Sequence, residues 1–232
     1  MAPQRCEWAQ SPLMADYHDK EWGVPSHDDR HLFEHLVLEG AQAGLSWEII
    51  LKKRDGYRKA FADYALKKIA AFDDARVEEL AQDPGIVRNR LKIRSVVSNA
   101  ETALMVQKEF GSLDAYMWGL AGGRPRQNSW KKMSDLPAVT PDSERMSKEM
   151  VRRGFKFFGP TGAYAFMQAV GMVNDHVVGC VRYTQIEEMG QATEKKATHG
   201  ARLPRSLGQG ASGRKDPAGW SADKRPEPRA WR

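Results

Sequence analysis

An all-α fold is the class this sequence predicts, on three observations. Apolar residues recur at three- and four-residue spacing along most of the chain, alternating runs bounded by tight hairpin signals are nearly absent, and helix-capping residues stand at the head of the periodic segments. Asp28 or Asp29 caps a helix that carries Leu32, Phe33, Leu36 and Val37 on one face. Ser46 caps a second helix running towards Phe61, and the short linker Gln42-Ala43-Gly44-Leu45 separates the two. Further helices are expected over 74–82, 86–110, 112–120, 142–153 and 161–171, whereas 122–141, broken by Gly, Pro and Ser, reads as a long connection.

A chain of 232 residues, 41% hydrophobic, buries a full core as one domain or two small lobes, which we place over residues 1–185. After that the sequence turns to Gly, Pro, Ser, Lys and Arg with few aliphatics, so 186–232 is expected to be a disordered basic tail. The net charge of +6 resides largely there: 186–232 holds 10 basic and 6 acidic residues, against 26 and 24 before it. The charge of the folded part therefore argues little for nucleic acid, and a solvated extension is the simpler reading of the basic stretch 224–232. No run of about 18 apolar residues spans a bilayer, and Glu7 and Asp16 interrupt any signal-peptide core. The expectation is a cytoplasmic monomer with no membrane partner.

Two cysteines are too few for a disulfide framework. His176 and Cys180 stand four residues apart, a spacing that on a helical turn points both to one side, and Cys6 and His18 supply a second such pair. Together they make a Cys2His2 set, the ligand number and type of a closed tetrahedral zinc site; the alternative is an accidental spacing with two buried core thiols. Four protein ligands leave no position for an activated water, so one zinc per chain would hold structure, clipping the start of the fold to its end.

Glu39 lies seven residues after Leu32 and three after Leu36, on the apolar stripe of its helix, where a carboxylate must be paired, protonated or awaiting a ligand. Tyr17, Trp22 and Trp47 are near it in sequence, and aromatic walls around a carboxylate suit a flat cationic ring. The alternative is a frayed helix end beside ordinary core aromatics. A tight turn at Asp83-Pro84-Gly85-Ile86-Val87, followed by Arg88, Arg90, Lys92 and Arg94, offers backbone amides and cations to a phosphate, or is simply a helical hairpin with a solvated basic face.

Several segments fall in a familiar order: Cys6-Glu7-Trp8, Tyr17-His18-Asp19, Glu21-Trp22-Gly23-Val24-Pro25, Leu38-Glu39-Gly40, Gln42-Ala43-Gly44-Leu45-Ser46-Trp47 and Leu51-Lys52-Lys53-Arg54, then Arg153-Gly154-Phe155-Lys156-Phe157, Phe166-Met167-Gln168-Ala169 and Gly171-Met172-Val173-Asn174-Asp175-His176. Over about residues 4 to 183 the chain resembles the bacterial DNA-3-methyladenine glycosylase I family. The resemblance implies a helix-hairpin-helix glycosylase fold with a structural zinc on Cys6, His18, His176 and Cys180. It implies a pocket for an extruded base at Glu39, Tyr17 and Trp47, to which we add Trp22, with Glu39 as the catalytic carboxylate. Gly85 and Ile86 correspond to the hairpin that holds the phosphate backbone, with Arg88 and Lys92 beside it, and Gln42, Gly44 and Leu45 to the segment filling the gap left by the flipped nucleotide. Met14 departs from the pattern, since relatives often have an aromatic residue there.

The implied activity is hydrolysis of alkylated double-stranded DNA to free 3-methyladenine, with no lyase step because no lysine stands out as a Schiff-base nucleophile. The rival readings are a zinc-stabilised DNA-binding protein without catalysis, and a metal-dependent hydrolase with an open zinc position.

Overall fold

The computed structural model describes residues 4–200, with side chains to residue 192; residues 201–232, including the expected basic stretch 224–232, lie outside the described residues. The fold is helical as expected: α1 (Pro12–Lys20), α2 (Asp29–Gln42), α3 (Trp47–Ala60), α4 (Leu66–Ile69), α5 (Asp74–Leu80), α6 (Arg90–Phe110), α7 (Leu113–Leu120), α8 (Pro141–Arg153), α9 (Pro160–Ala169) and α10 (Arg182–Gly200). The long connection 122–141 contributes a two-residue strand, β1 (Arg126–Gln127), which pairs in parallel with β2 (Val173–Asn174).

Side-chain caps set most of the helix starts. Asp28 accepts from the amide of His31 at 2.7 Å and Ser46 from that of Ile49 at 3.4 Å, as the sequence predicts. Helix α1 is an addition to the expected elements: Ser11 accepts from the amide of Met14 at 3.3 Å, with Pro12 in the first turn where its missing N–H costs nothing. The helix expected from residue 86 starts at Arg90 instead. Asp83 accepts from the amide of Gly85 at 2.7 Å and the Tyr57 hydroxyl from that of Val87 at 3.2 Å, holding these residues as a turn until Asn89 caps α6.

Helix α2 is the centre of the molecule. Every residue from Leu32 to Ala41 is buried, enclosed by α3, α6, α7 and α9. A helix enclosed on all sides carries its polar residues inward with the rest, which places Glu34, His35 and Glu39 in the interior.

The expected domain boundary after residue 185 is corrected by α10, which runs on to Gly200. Ile186 is 2% exposed, and a Cβ built on Gly190 would meet the Pro125 ring at 3.4 Å, so the helix packs onto the preceding fold. The composition shift at 186 hides a good helix-forming run, Glu187-Glu188-Met189-Gly190-Gln191-Ala192, with one glycine in it. Among the described residues no helix is long and apolar enough to cross a membrane.

One contact fixes the turn between α5 and α6 against α3. A Cβ on Gly56 would come within 2.1 Å of the Gly85 carbonyl oxygen, so the two backbones meet where no side chain fits. Alanine for glycine inside a helix ordinarily stabilises by about 1 kcal/mol. Gly56→Ala is expected to reverse that sign, costing about 1–3 kcal/mol through overpacking and lowering the melting temperature by several degrees. A thermal melt equal to or above wild type would contradict the contact.

Candidate metal centre and the adjoining carboxylate pocket

The chain brings its first described residues against the turn that follows β2. Cys6, His18, His176 and Cys180 are all buried, and their four ligand atoms lie within 4.8 Å of one another. Cys180 Sγ is 3.4 Å from both His18 Nε2 and His176 Nδ1, and Cys6 Sγ is 3.6 Å from His176 Nδ1. The far nitrogen of each ring is occupied: His18 Nδ1 donates to Asp19 at 2.8 Å and His176 Nε2 to the Trp22 carbonyl at 3.0 Å. Those partners fix the tautomers that turn a bare nitrogen into the cluster from each side. In a cluster without a cation the two sulfurs compete for a proton, the hydrogen bond between them pushing Cys6 up and Cys180 down. A buried N2S2 set with both rings oriented from behind is one that could hold a metal ion.

His176 and Cys180 do not share a helix. The amide of Cys180 donates to the Val177 carbonyl at 2.8 Å, closing a turn, and Asp175 anchors the approach to it. That carboxylate is buried and accepts from Asn128, Trp130, Tyr164 and Gln168 at 2.5–2.7 Å. Asp175 belongs to the segment Asn174-Asp175-His176 singled out in the sequence, but its four partners come from two other stretches, the 122–141 connection and α9, and leave no local signal.

The metal ligands and the residues expected to receive a base share α1, because Tyr17 immediately precedes His18. The Tyr17 ring stands 5.5 Å from Trp47 and 6.2 Å from Trp8. Glu39 enters from α2, 8% exposed, and makes no hydrogen bond or ion pair among the described residues. Burial pushes its carboxyl up to about 8, and burial, followed by the charges of Glu39 and Glu21, pushes the Tyr17 phenol well above its ordinary value. Trp47 Nε1 is buried without an acceptor of good geometry, leaning only weakly on the Tyr17 hydroxyl. Met14 packs half-buried against the same cluster.

Trp22 sits on the metal side, its ring 4.6 Å from His176 and 5.1 Å from Trp8. Beside these aromatics runs an ion network that sequence reading missed. His35 donates from Nε2 to Glu21 at 2.9 Å, Arg54 grips both Glu21 oxygens at 2.6 Å, and Arg54 also reaches Glu34 at 2.8 Å. Burial works against the charge of Glu21, yet hydrogen bonds from His35 and Arg54 hold it far below the usual carboxylate range. The available signal was His35 itself, one helical turn before Glu39.

The linker and the basic turn lie at the surface. Gly44, with φ of +81°, and Leu45 are exposed, while Gln42 is half-buried at the end of α2. Lys92 donates to the carbonyls of Ala41 and Ala43 at 2.8 and 2.7 Å, so its ammonium fastens the linker to α6, and burial lowers its pKa. Ile86 is buried, Gly85 half-buried and Arg88 exposed. The amides of Gly85 and Val87 are already paired, so the free donors expected here are fewer than the sequence suggests.

Comparison with known proteins gives consistent matches. The pattern of the methyladenine glycosylase family matches residues 8–183. DNA-3-methyladenine glycosylase 1 of Escherichia coli (strain K12) is 45% identical over 181 residues, 78% of this chain and 97% of that protein. A crystal structure of 3-methyladenine DNA glycosylase I superposes with a TM-score of 0.75 at 45% identity, covering 77% of this chain and 98% of the other. The Staphylococcus aureus 3-methyladenine DNA glycosylase I, solved for its structural basis of 3-methyladenine recognition, gives 0.76 at 33% identity, covering 79% and 98%.

Proposed function

The chain belongs to the methyladenine glycosylase family, and from that premise we propose that it is a DNA repair N-glycosylase hydrolysing the glycosidic bond of 3-methyladenine flipped out of duplex DNA. The observation that carries the reading is Glu39: a buried carboxyl without a partner, its charge felt by the Tyr17 phenol, in a fold that pairs its other buried carboxylates, Glu34 and Asp175, thoroughly. A buried acceptor left open is costly unless something arrives to fill it.

Alkylation at N3 gives the adenine ring a positive charge and weakens the bond to the sugar, so binding the charged leaving group does much of the work. Glu39 accepts hydrogen bonds from the adenine edge, including the exocyclic amine, while Tyr17 and Trp47 stack on the cationic ring. Water replaces the base on the sugar carbon, and the freed base leaves with the bonding electron pair. No lyase step is expected, since no lysine stands out as a Schiff-base nucleophile and the Lys92 amine, reaching from α6 to the end of the helix that carries Glu39, is held by two carbonyls.

The turn between α5 and α6 would serve as the hairpin of a helix-hairpin-helix motif, with Gly85, Ile86 and Arg88 towards the phosphate backbone and Lys92 positioning the linker rather than gripping DNA. Gln42, Gly44 and Leu45 fill the space vacated by the flipped nucleotide. The cation is zinc: bond lengths of about 2.3 Å to sulfur and 2.0 Å to nitrogen in a tetrahedron imply S···N edges of about 3.5 Å, and the cluster's Cys6–His176, Cys180–His18 and Cys180–His176 edges are 3.4–3.6 Å. Zinc in a closed Cys6-His18-His176-Cys180 cage supplies structure, not an activated water.

Incubation with methylated DNA is expected to release free 3-methyladenine and leave abasic strands intact until alkali is added. Salt-sensitive DNA binding with no base in the supernatant would overturn the reading in favour of a non-catalytic DNA-binding protein.

A further inference from the structure

The loop joining α8 to α9 carries Phe155, Phe157 and Phe158. The first and last are core side chains, 0% and 1% exposed, whereas Phe157 is 42% exposed. Its φ is +54°, the left-handed region that a β-carbon disfavours. A bulky residue stays there only when its surroundings over-determine it, and clamps stand on either side. Asn99, buried on α6, accepts from the amide of Lys156 at 2.7 Å and donates to its carbonyl at 3.1 Å; Ser147 donates to the Phe158 carbonyl at 2.7 Å. Glycine relieves the same backbone demand at Gly154 and Gly171, so retaining a phenyl ring at this position wants another reason.

Its place supplies one. A Cβ on Gly40 would meet Phe157 Cβ at 3.3 Å, and Phe157 lines one cleft with Ala41 and Lys92, the residue that fastens the linker. The ring thus stands at the root of the segment that ends in Gly44 and Leu45. Next to it Lys156 is exposed, its ammonium without an ion pair among the described residues. An exposed ring beside a free cation is the pairing that holds nucleic acid, the ring on a base face and the cation on the backbone.

We propose that Lys156 and Phe157 form a further DNA contact, Phe157 stacking on a nucleobase laid bare when the alkylated base is extruded and Lys156 neutralising a neighbouring phosphate. The proposal rests on the base-extrusion reading above. Its test uses the full chain and two ligands: a duplex carrying a tetrahydrofuran abasic analogue, followed by anisotropy, and free 3-methyladenine, followed by tryptophan fluorescence. Phe157→Ala is expected to weaken duplex binding by about 5- to 150-fold while leaving affinity for the free base unchanged. Phe157→Gly, which keeps the left-handed backbone without strain, is expected to do the same, and Lys156→Ala to reduce the slope of log affinity against log salt by about 1. Duplex binding by both Phe157 variants as tight as wild type overturns the proposal, as does an equal loss for duplex and free base, which would make the ring a support of the pocket. A wild-type protein that releases no 3-methyladenine would instead bring down the underlying reading.

Discussion

Glu39→Gln is expected to slow base release by about 100-fold and, in the same protein, to raise the melting temperature near pH 8. The two effects share one cause. Burial holds the folded carboxyl up at about 8, against an ordinary 4.5. Between those values the unfolded chain has given up the proton and the folded one keeps it, so stability is fully present below about pH 4.5 and falls as pH rises towards 8. The loss reaches about 4–5 kcal/mol, and glutamine, which does not ionise, escapes it. The variant should therefore melt about 10–15 °C above wild type at pH 8, with the gap closing towards pH 4.5. Catalysis runs the other way, because a cationic purine needs the ionised form. Wild-type kcat/KM is expected to climb between pH 6 and 8 and the variant's to stay flat. Melting curves and single-turnover base release across that pH range check both arms. Undiminished release, or a stability gap indifferent to pH, would remove Glu39 from the role given to it.

How much of this was legible in the sequence depends on how far each feature reaches along the chain. The caps at Asp28 and Ser46 act within three residues and were read directly. So was the inward face of Glu39, because its spacing from Leu32 and Leu36 repeats the helical period. What sequence could not show is that α2 is enclosed on every side, which turns a carboxylate on one stripe into a buried group and also buries His35 and Glu34. Helix α1 escaped notice because nine polar-rich residues carry no clear apolar face, although Ser11-Pro12 announces its start. Lys92 looked like a phosphate ligand by its company of basic residues, and only the tertiary fold turns its amine onto two carbonyls 49 and 51 residues away. The left-handed backbone at Phe157 is likewise invisible locally, since the clamp that enforces it comes from Asn99. Composition alone places a boundary after residue 185, because it does not show that Ile186, 2% exposed, has a surface to cover.

Withdrawal of the metal is expected to unfold the molecule rather than merely to silence it. Cys6 and Cys180 are 174 positions apart, and the segments they belong to meet at the four ligands, at the small aromatic cluster around them and where the Val181 amide donates to the Gln4 carbonyl at 2.9 Å. Zinc-bound thiolates would satisfy two buried sulfurs that otherwise compete for a proton, and closing so long a loop removes much freedom from the unfolded chain. Cys180→Ser, or a strong chelator, should therefore cost about 5 kcal/mol or more and lower the melting temperature by about 10–20 °C. The pocket must follow, because Tyr17 is fixed through its neighbour His18 and Trp8 wedges between that ligand and Trp22, with ring centroids 5.3 and 5.1 Å away. Base release and far-UV circular dichroism should accordingly disappear together as chelator is titrated at rising temperature, and return together on adding zinc. Metal analysis should give one zinc per folded chain. An enzyme that loses turnover to the chelator while its helices stay intact would need an open coordination position, and the four protein donors gathered within 4.8 Å leave a tetrahedral ion none.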